Sequence, residues 1–246
     1  MNLSAPQRQR LGDLDCQTID LGSAPRFAVI LCHGYGAPGD DLVSLAEAFA
    51  GLLDGDQPFR LVFPAAPLQP AELAAFAGRA WWEINMAALL AATDSDSFSE
   101  VHDTVPPGIE KATQQLLDCV TATLAGMGDR PRYALGGFSQ GAMLTMNTAL
   151  SGQLPAPELL LQFSGTLVCE TAWRRGLQSG RLAETEVIQS HGRQDQVLPY
   201  SSAESLRDLV NGHCKRHDFL PFEGPHTIPL EAVAQVAVSL NRLAKR

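Results

Sequence analysis

The chain lacks an apolar run of about 20 residues, the length needed to span a bilayer. Met1 to Pro25 also lacks the apolar core of a secretory signal. No membrane span is therefore expected. Excess positive charge is missing too: 18 Lys and Arg stand against 27 Asp and Glu, a formal net charge of −9. That balance argues against nucleic acid or an anionic membrane as a partner and leaves a neutral apolar substrate open. Cysteine is sparse: Cys16, Cys32, Cys119, Cys169 and Cys214 are odd in number and widely spaced. They make neither a disulfide framework nor a zinc pattern. Several fall in apolar runs and read as small core residues, so a reducing, cytoplasmic setting is expected. No repeat or low-complexity linker divides the 246 residues, a length that one α/β domain can occupy.

What is present is alternation. Short apolar runs at Phe27–Cys32, Leu61–Pro64, Arg132–Gly136, Glu158–Phe163, Glu186–His191 and His217–Phe222 read as strands. Helical patterns lie between them. Asp40 is expected to cap a helix running to about Leu53. Ile109, Ala112, Leu116, Val120 and Leu124 mark one buried helical face. Ser139–Leu150, Ser201–Val210 and Leu230–Leu243 read similarly, with Pro229 suited to the start of the last. The order predicts a mostly parallel central sheet with helices on both faces. Residues 67–107 break the rhythm and read as a lid-like insertion in a single domain.

Gly137-Phe138-Ser139-Gln140-Gly141 fits G-x-S-x-G between a strand and a helix. That context makes Ser139 a candidate nucleophile on a sharp turn. The flanking glycines permit a turn too tight for side chains, and the helix aims its positive end at the serine. A chance Gly/Ser turn is the bland alternative.

A serine hydroxyl needs a base, oriented by an acid. Where a nucleophile sits in this context, the chain order is Ser, acid, His. Of six histidines, His191, His213, His217 and His226 follow Ser139. His226 is favoured because it lies in a loop after a strand and before the last helix. Asp195, just past a strand end, is the favoured acid. Asp218 and Glu223 remain alternatives, and Asp195 also suits a helix cap near Tyr200. Oxyanion donors are expected at the backbone N–H groups of Gln140 and Tyr35. His33 is expected to shape the Tyr35 loop. Gly34-Tyr35-Gly36-Ala37-Pro38-Gly39 also matches the dinucleotide fingerprint, but the next strand ends Phe63-Pro64-Ala65 without the ribose-binding acid.

Phe76, Trp81, Trp82 and Met86 are candidate linings of an acyl pocket, or else a helix packed on the core. Adjacent Trp81 and Trp82 point in different directions, so one of the pair is expected to reach the site. The acidic run Asp94–Glu100 hints at calcium but lacks the loop glycine and reads as a solvated loop. His213, Cys214 and His217 straddle a helix end and a strand start, so no metal is assigned.

Together these segments resemble the phospholipase/carboxylesterase family of α/β-hydrolases, which includes the acyl-protein thioesterases. The matching pieces are His33-Gly34-Tyr35-Gly36, Gly136 through Met143, Phe163-Ser164-Gly165, Ser190-His191-Gly192 with Asp195, Val197 and Pro199, and His226-Thr227-Ile228-Pro229. The resemblance spans roughly Arg26 to Leu243. It implies an α/β-hydrolase core without metal or organic cofactor. It implies hydrolysis of carboxylic esters, lysophospholipids or acyl thioesters. It places the triad on Ser139, Asp195 and His226, and the oxyanion donors on Tyr35 and Gln140. The chain departs from the pattern at Ala142, where a second glycine is common, and at Trp81-Trp82-Glu83, where an aspartate is usual. The insertion at 67–107 is also enlarged.

Three readings follow. The first is a serine esterase acting on small-molecule carboxylic esters. The second is an acyl-thioesterase or lysophospholipase on the same residues. The third is a binding protein of the same fold without chemistry, against which the triad in register argues. An exposed apolar patch in the insertion would suit a substrate or a second subunit, so a homo-oligomer stays open.

Overall fold

A computed structural model describes residues 3–54, 58–87, 89, 91, 98–128 and 131–245. Its strands are β1 (Gln7–Leu11), β2 (Leu14–Leu21), β3 (Phe27–Cys32), β4 (Phe59–Pro64), β5 (Arg132–Phe138), β6 (Leu159–Phe163), β7 (Glu186–Gly192) and β8 (Arg216–Phe222). They form one eight-stranded sheet in the order β1-β2-β4-β3-β5-β6-β7-β8. β2 runs antiparallel to both neighbours, and every other pairing is parallel.

β3 is buried at every position, as its unbroken apolar sequence requires of a strand covered on both faces. Phe27, Val29 and Leu31 pack to one side, Ala28, Ile30 and Cys32 to the other. The first side is covered by α1 (Leu45–Leu52) and α6 (Leu230–Ala244). The second carries α2 (Ile109–Ala125), α3 (Gln140–Leu150), α4 (Glu170–Gln178) and α5 (Tyr200–Val210). Ile109, Ala112, Leu116 and Val120 form the buried stripe of α2, in line with their spacing. The architecture is the α/β-hydrolase fold.

Four features depart from the sequence reading. β1 and β2 are additions to the expected strands: Gln7–Leu11 is polar and largely exposed, and Leu14–Leu21 interrupts its apolar residues with Asp15, Gln17 and Asp20. Helix α4 holds only Trp173 and Leu177 in the core, too few to make a visible period. The indole N–H of Trp173 donates to Asn147 Oδ1 at 2.9 Å, which ties α4 to α3. Asp40 does not cap an α-helix: its side chain makes no cap bond, and a 3-10 turn at Asp41–Ser44 precedes α1.

The 67–107 segment crosses the α3 side. Leu68 and Ala80 pair as an isolated bridge, and a 3-10 turn spans Ala71–Phe76. Trp81, Trp82 and Phe98 join the core on that face. Asp103 accepts the N–H and hydroxyl of Thr171 at 2.7 and 3.0 Å. Phe98, within the acidic run read as a solvated loop, is instead buried in a 3-10 turn at Phe98–Val101. The acidic hint at 94–97 lies outside the described residues. Among the described residues, no helix is long and apolar enough to cross a membrane.

Candidate active site

Ser139 follows β5 directly and precedes α3, with φ 54° and ψ −117°. That is a costly backbone conformation for a residue with a Cβ, and it persists only where the surroundings enforce it. Here they do. A Cβ on Gly137 would lie 2.4 Å from the Gly141 carbonyl carbon, and one on Gly141 2.2 Å from the Cys32 oxygen. The turn is backbone packed on backbone, so both flanking positions demand glycine. The Ser139 N–H donates to Phe163 O at 2.9 Å and pins the turn to β6. Ala142 fits its place because its Cβ lies against Gly165: a methyl group there would come within 2.7 Å.

The loops after β7 and β8 bring Asp195 and His226 together. His226 Nδ1 lies 2.6 Å from Asp195 Oδ2. Asp195 Oδ1 accepts the Val197 and Leu198 N–H groups, each at 2.9 Å. The carboxylate is thus a turn cap and a histidine partner at once. Burial pushes its pKa up, but hydrogen bonds from His191, His226 and Leu198 outweigh that and hold it well below the usual carboxylate range. The alternative acids are engaged elsewhere. Asp218 bonds Arg216 at 2.9 Å and Gln235 at 3.2 Å, and the exposed Glu223 pairs with Arg193 at 3.4 Å.

The His226 loop is fixed by contacts that its own sequence does not reveal. A Cβ on Gly192 would stand 2.2 Å from Gly224 O and 2.4 Å from Pro225 O, so the two loops touch through a glycine. The Ser164 hydroxyl donates to Thr227 O at 3.0 Å. The ring of Phe138, the residue before Ser139, lies 4.7 Å from that of His226. His226 therefore sits beside the Ser139 turn.

His33, His217 and His102 have different partners. Ala66 N–H donates to His33 Nε2 at 2.9 Å, so the ring proton lies on Nδ1, 2.8 Å from Gly34 O. Burial lowers the His33 pKa, and the ring braces its loop. His217 Nε2 pairs with Gln189 Oε1 at 3.1 Å. His102 Nε2 meets the buried Ser202 hydroxyl at 2.8 Å. That second Ser–His pair has neither the strained turn nor an accessible hydroxyl.

The Tyr35 loop lies against the Ser139 turn. A Cβ on Gly34 would be 3.1 Å from Phe138 Cδ1 and 3.3 Å from Ser139 Cβ. Among the described residues, the Tyr35 N–H has no backbone acceptor. Gln140 opens α3, where first-turn N–H groups lack helical partners. The Gln140 side chain also ties the insertion to α3, accepting the Trp81 N–H at 3.0 Å and donating to Trp82 O at 2.8 Å. The Tyr35 phenol donates to Glu72 at 2.9 Å and is pushed up to about 12 by burial and that carboxylate. The glycine run ends in a short 3-10 turn, not in the longer α-helix N-terminus that cradles a pyrophosphate.

An apolar pocket of about 190 Å³ lies between the insertion and α3, with Trp82, Ile84, Phe98, Met143 and Val168 among its walls. Met143 is four residues beyond Ser139. Trp81 points the other way, its indole N–H donating to His33 O at 3.0 Å. Phe76 is 79% exposed on the surface, and the partly buried Met86 is not part of this lining. Of the candidate linings, the structure brings only Trp82 to the pocket. Glu83 stands at its wall.

Comparison with known proteins places the chain among characterised hydrolases. Residues 15–244 match the family model described as phospholipase/carboxylesterase. The chain is 34% identical over 188 residues to acyl-protein thioesterase 1 of Eremothecium gossypii, covering 74% of this chain and 71% of that one. Among solved structures, Zea mays acyl-protein thioesterase 2 superposes with a TM-score of 0.68 at 18% identity, covering 93% of this chain and 98% of that one. Esterase PE8 gives a TM-score of 0.66 at 24% identity, covering 90% and 94%. The chain belongs to the phospholipase/carboxylesterase family and is a hydrolase.

Proposed function

We propose that Ser139, His226 and Asp195 hydrolyse a small-molecule carboxylic ester through an acyl-enzyme. The observation that carries this reading is the His226–Asp195 bond of 2.6 Å beside a serine held at φ 54°. Ser139 Oγ attacks the carbonyl carbon while His226 Nε2 takes its proton. The tetrahedral oxyanion is met by the Tyr35 and Gln140 N–H groups, typically worth about 3 kcal/mol each. His226 then protonates the leaving oxygen, and the Ser139 ester remains. Water, deprotonated by His226, attacks that ester and releases the acid. Asp195 holds the His226 proton on Nδ1 and stabilises the imidazolium.

The apolar pocket beneath Trp82 is proposed to take the acyl chain, with residues 67–107 as its cover in a single domain. The name of the Eremothecium relative favours a second reading, in which the scissile bond is an acyl thioester and the leaving group a thiolate. The setting proposed is cytoplasmic, from the odd count and wide spacing of the five cysteines. A net charge of −9 gives no support to a nucleic-acid partner.

Matched p-nitrophenyl esters and acyl thioesters, from acetyl to palmitoyl, test the proposal. Each methylene that enters the pocket should raise kcat/KM about 4-fold, from about 0.8 kcal/mol of burial, until the pocket is full. A higher kcat/KM across the thioesters would select the second reading. No turnover of any member would overturn both.

A further inference from the structure

His226 is not the only histidine on the proposed acid. His191, the penultimate residue of β7, is fully buried, and its Nε2 lies 3.2 Å from Asp195 Oδ2 and 2.9 Å from Leu198 O. We propose that His191 is a positioning residue, which locks the Asp195 carboxylate in the orientation that His226 requires. The inference rests on the reading of Ser139, Asp195 and His226 given above.

Both partners of His191 Nε2 are acceptors, so that nitrogen carries the ring proton. Nδ1 is then an acceptor, and it is buried with no hydrogen-bond partner among the described residues. A buried acceptor without a donor carries a stability penalty, which an apolar side chain at this position would avoid. What offsets it is the contact at Nε2. Leu198 closes a ring of bonds: its N–H donates to Asp195 Oδ1 at 2.9 Å, and its carbonyl accepts from His191. His191 thus grips both the Asp195 side chain and the backbone three residues on. The Tyr200 ring stands edge-on to the imidazole, with ring centres 6.3 Å apart. Without His191, Oδ2 keeps the single donor His226, and the carboxylate is free to swing with the base it is meant to orient.

The test is a pair of carboxamides in the full chain. His191→Gln places an N–H the same number of bonds from Cβ as Nε2, whereas His191→Asn stops one atom short. With p-nitrophenyl butyrate, His191→Asn should lose about 100-fold in kcat with KM changed less than about 3-fold, the cost of a misplaced base. His191→Gln should recover kcat to within about 5-fold of the unaltered protein. If His191→Asn does not unfold cooperatively, His191→Met, which fills the space without a donor, replaces it. Equal kcat in His191→Gln and in the folded variant compared with it, His191→Asn or His191→Met, would overturn the proposal. So would an unchanged kcat in both. Ser139→Ala, run in parallel, separates the two levels: activity in that variant overturns the catalytic reading itself, and its loss leaves the His191 comparison decisive.

Discussion

Ser139→Ala should lower kcat/KM for ester hydrolysis by about 10⁵-fold, about 7 kcal/mol of transition-state stabilisation, while cooperative unfolding is retained. The loss is large because Oγ forms the covalent bond, and no neighbouring group substitutes for it. His33 is tied to Gly34 and Ala66, and the Tyr35 phenol is committed to Glu72. The fold should survive because the turn is held by Gly137, Gly141 and the Ser139 N–H bond to Phe163, none of which uses the hydroxyl. Steady-state rates on p-nitrophenyl butyrate with a thermal melt check both halves. A rate within about 10-fold of the unaltered protein would remove Ser139 from the chemistry.

Asp195→Asn should lower kcat by about 10⁴-fold. The amide has one acceptor oxygen, and Oδ1 is already claimed by the Val197 and Leu198 N–H groups. The nitrogen that replaces Oδ2 faces His226 Nδ1 as a donor and drives the imidazole proton to Nε2, where it cannot receive the serine proton. The same substitution alters acid stability. The Asp195 carboxyl titrates below its unfolded value of about 3.9, so it adds stability above about pH 4 that is lost as pH falls toward the folded value. Acid unfolding followed by circular dichroism between about pH 5 and pH 2 should therefore be shallower in the variant. An equal or steeper loss would contradict the assigned stabilisation of this carboxylate.

Where the sequence is informative, local chemistry repeats over several residues. Six consecutive apolar residues make β3 a strand covered on both faces, and the four-residue beat from Ile109 makes α2 a helix with one buried face. The Ser139 turn is legible because tight backbone packing leaves no choice but glycine on either side. Loops after strands direct attention to Asp195 and His226, which the structure places 2.6 Å apart. What stays hidden depends on side-chain direction across distance. Nothing in Ser190-His191-Gly192 reveals that the imidazole turns inward toward Asp195. The Gln140 side chain reaches residues 81 and 82 in an insertion whose sequence carries no apolar period to orient it. Irregular backbone also separates Phe76, at the surface, from Trp82, at the pocket. β1 escapes for the opposite reason: a polar edge strand has no core to imprint an apolar pattern on it.

The central claim is that Ser139 Oγ is the nucleophile. Incubating the full chain with a fluorophosphonate, followed by proteolysis and mass spectrometry, tests this directly. A single phosphonyl adduct is predicted on Ser139, absent from the Ser139→Ala variant. An unmodified Ser139, or an adduct on Ser202 beside His102 in its place, would contradict it.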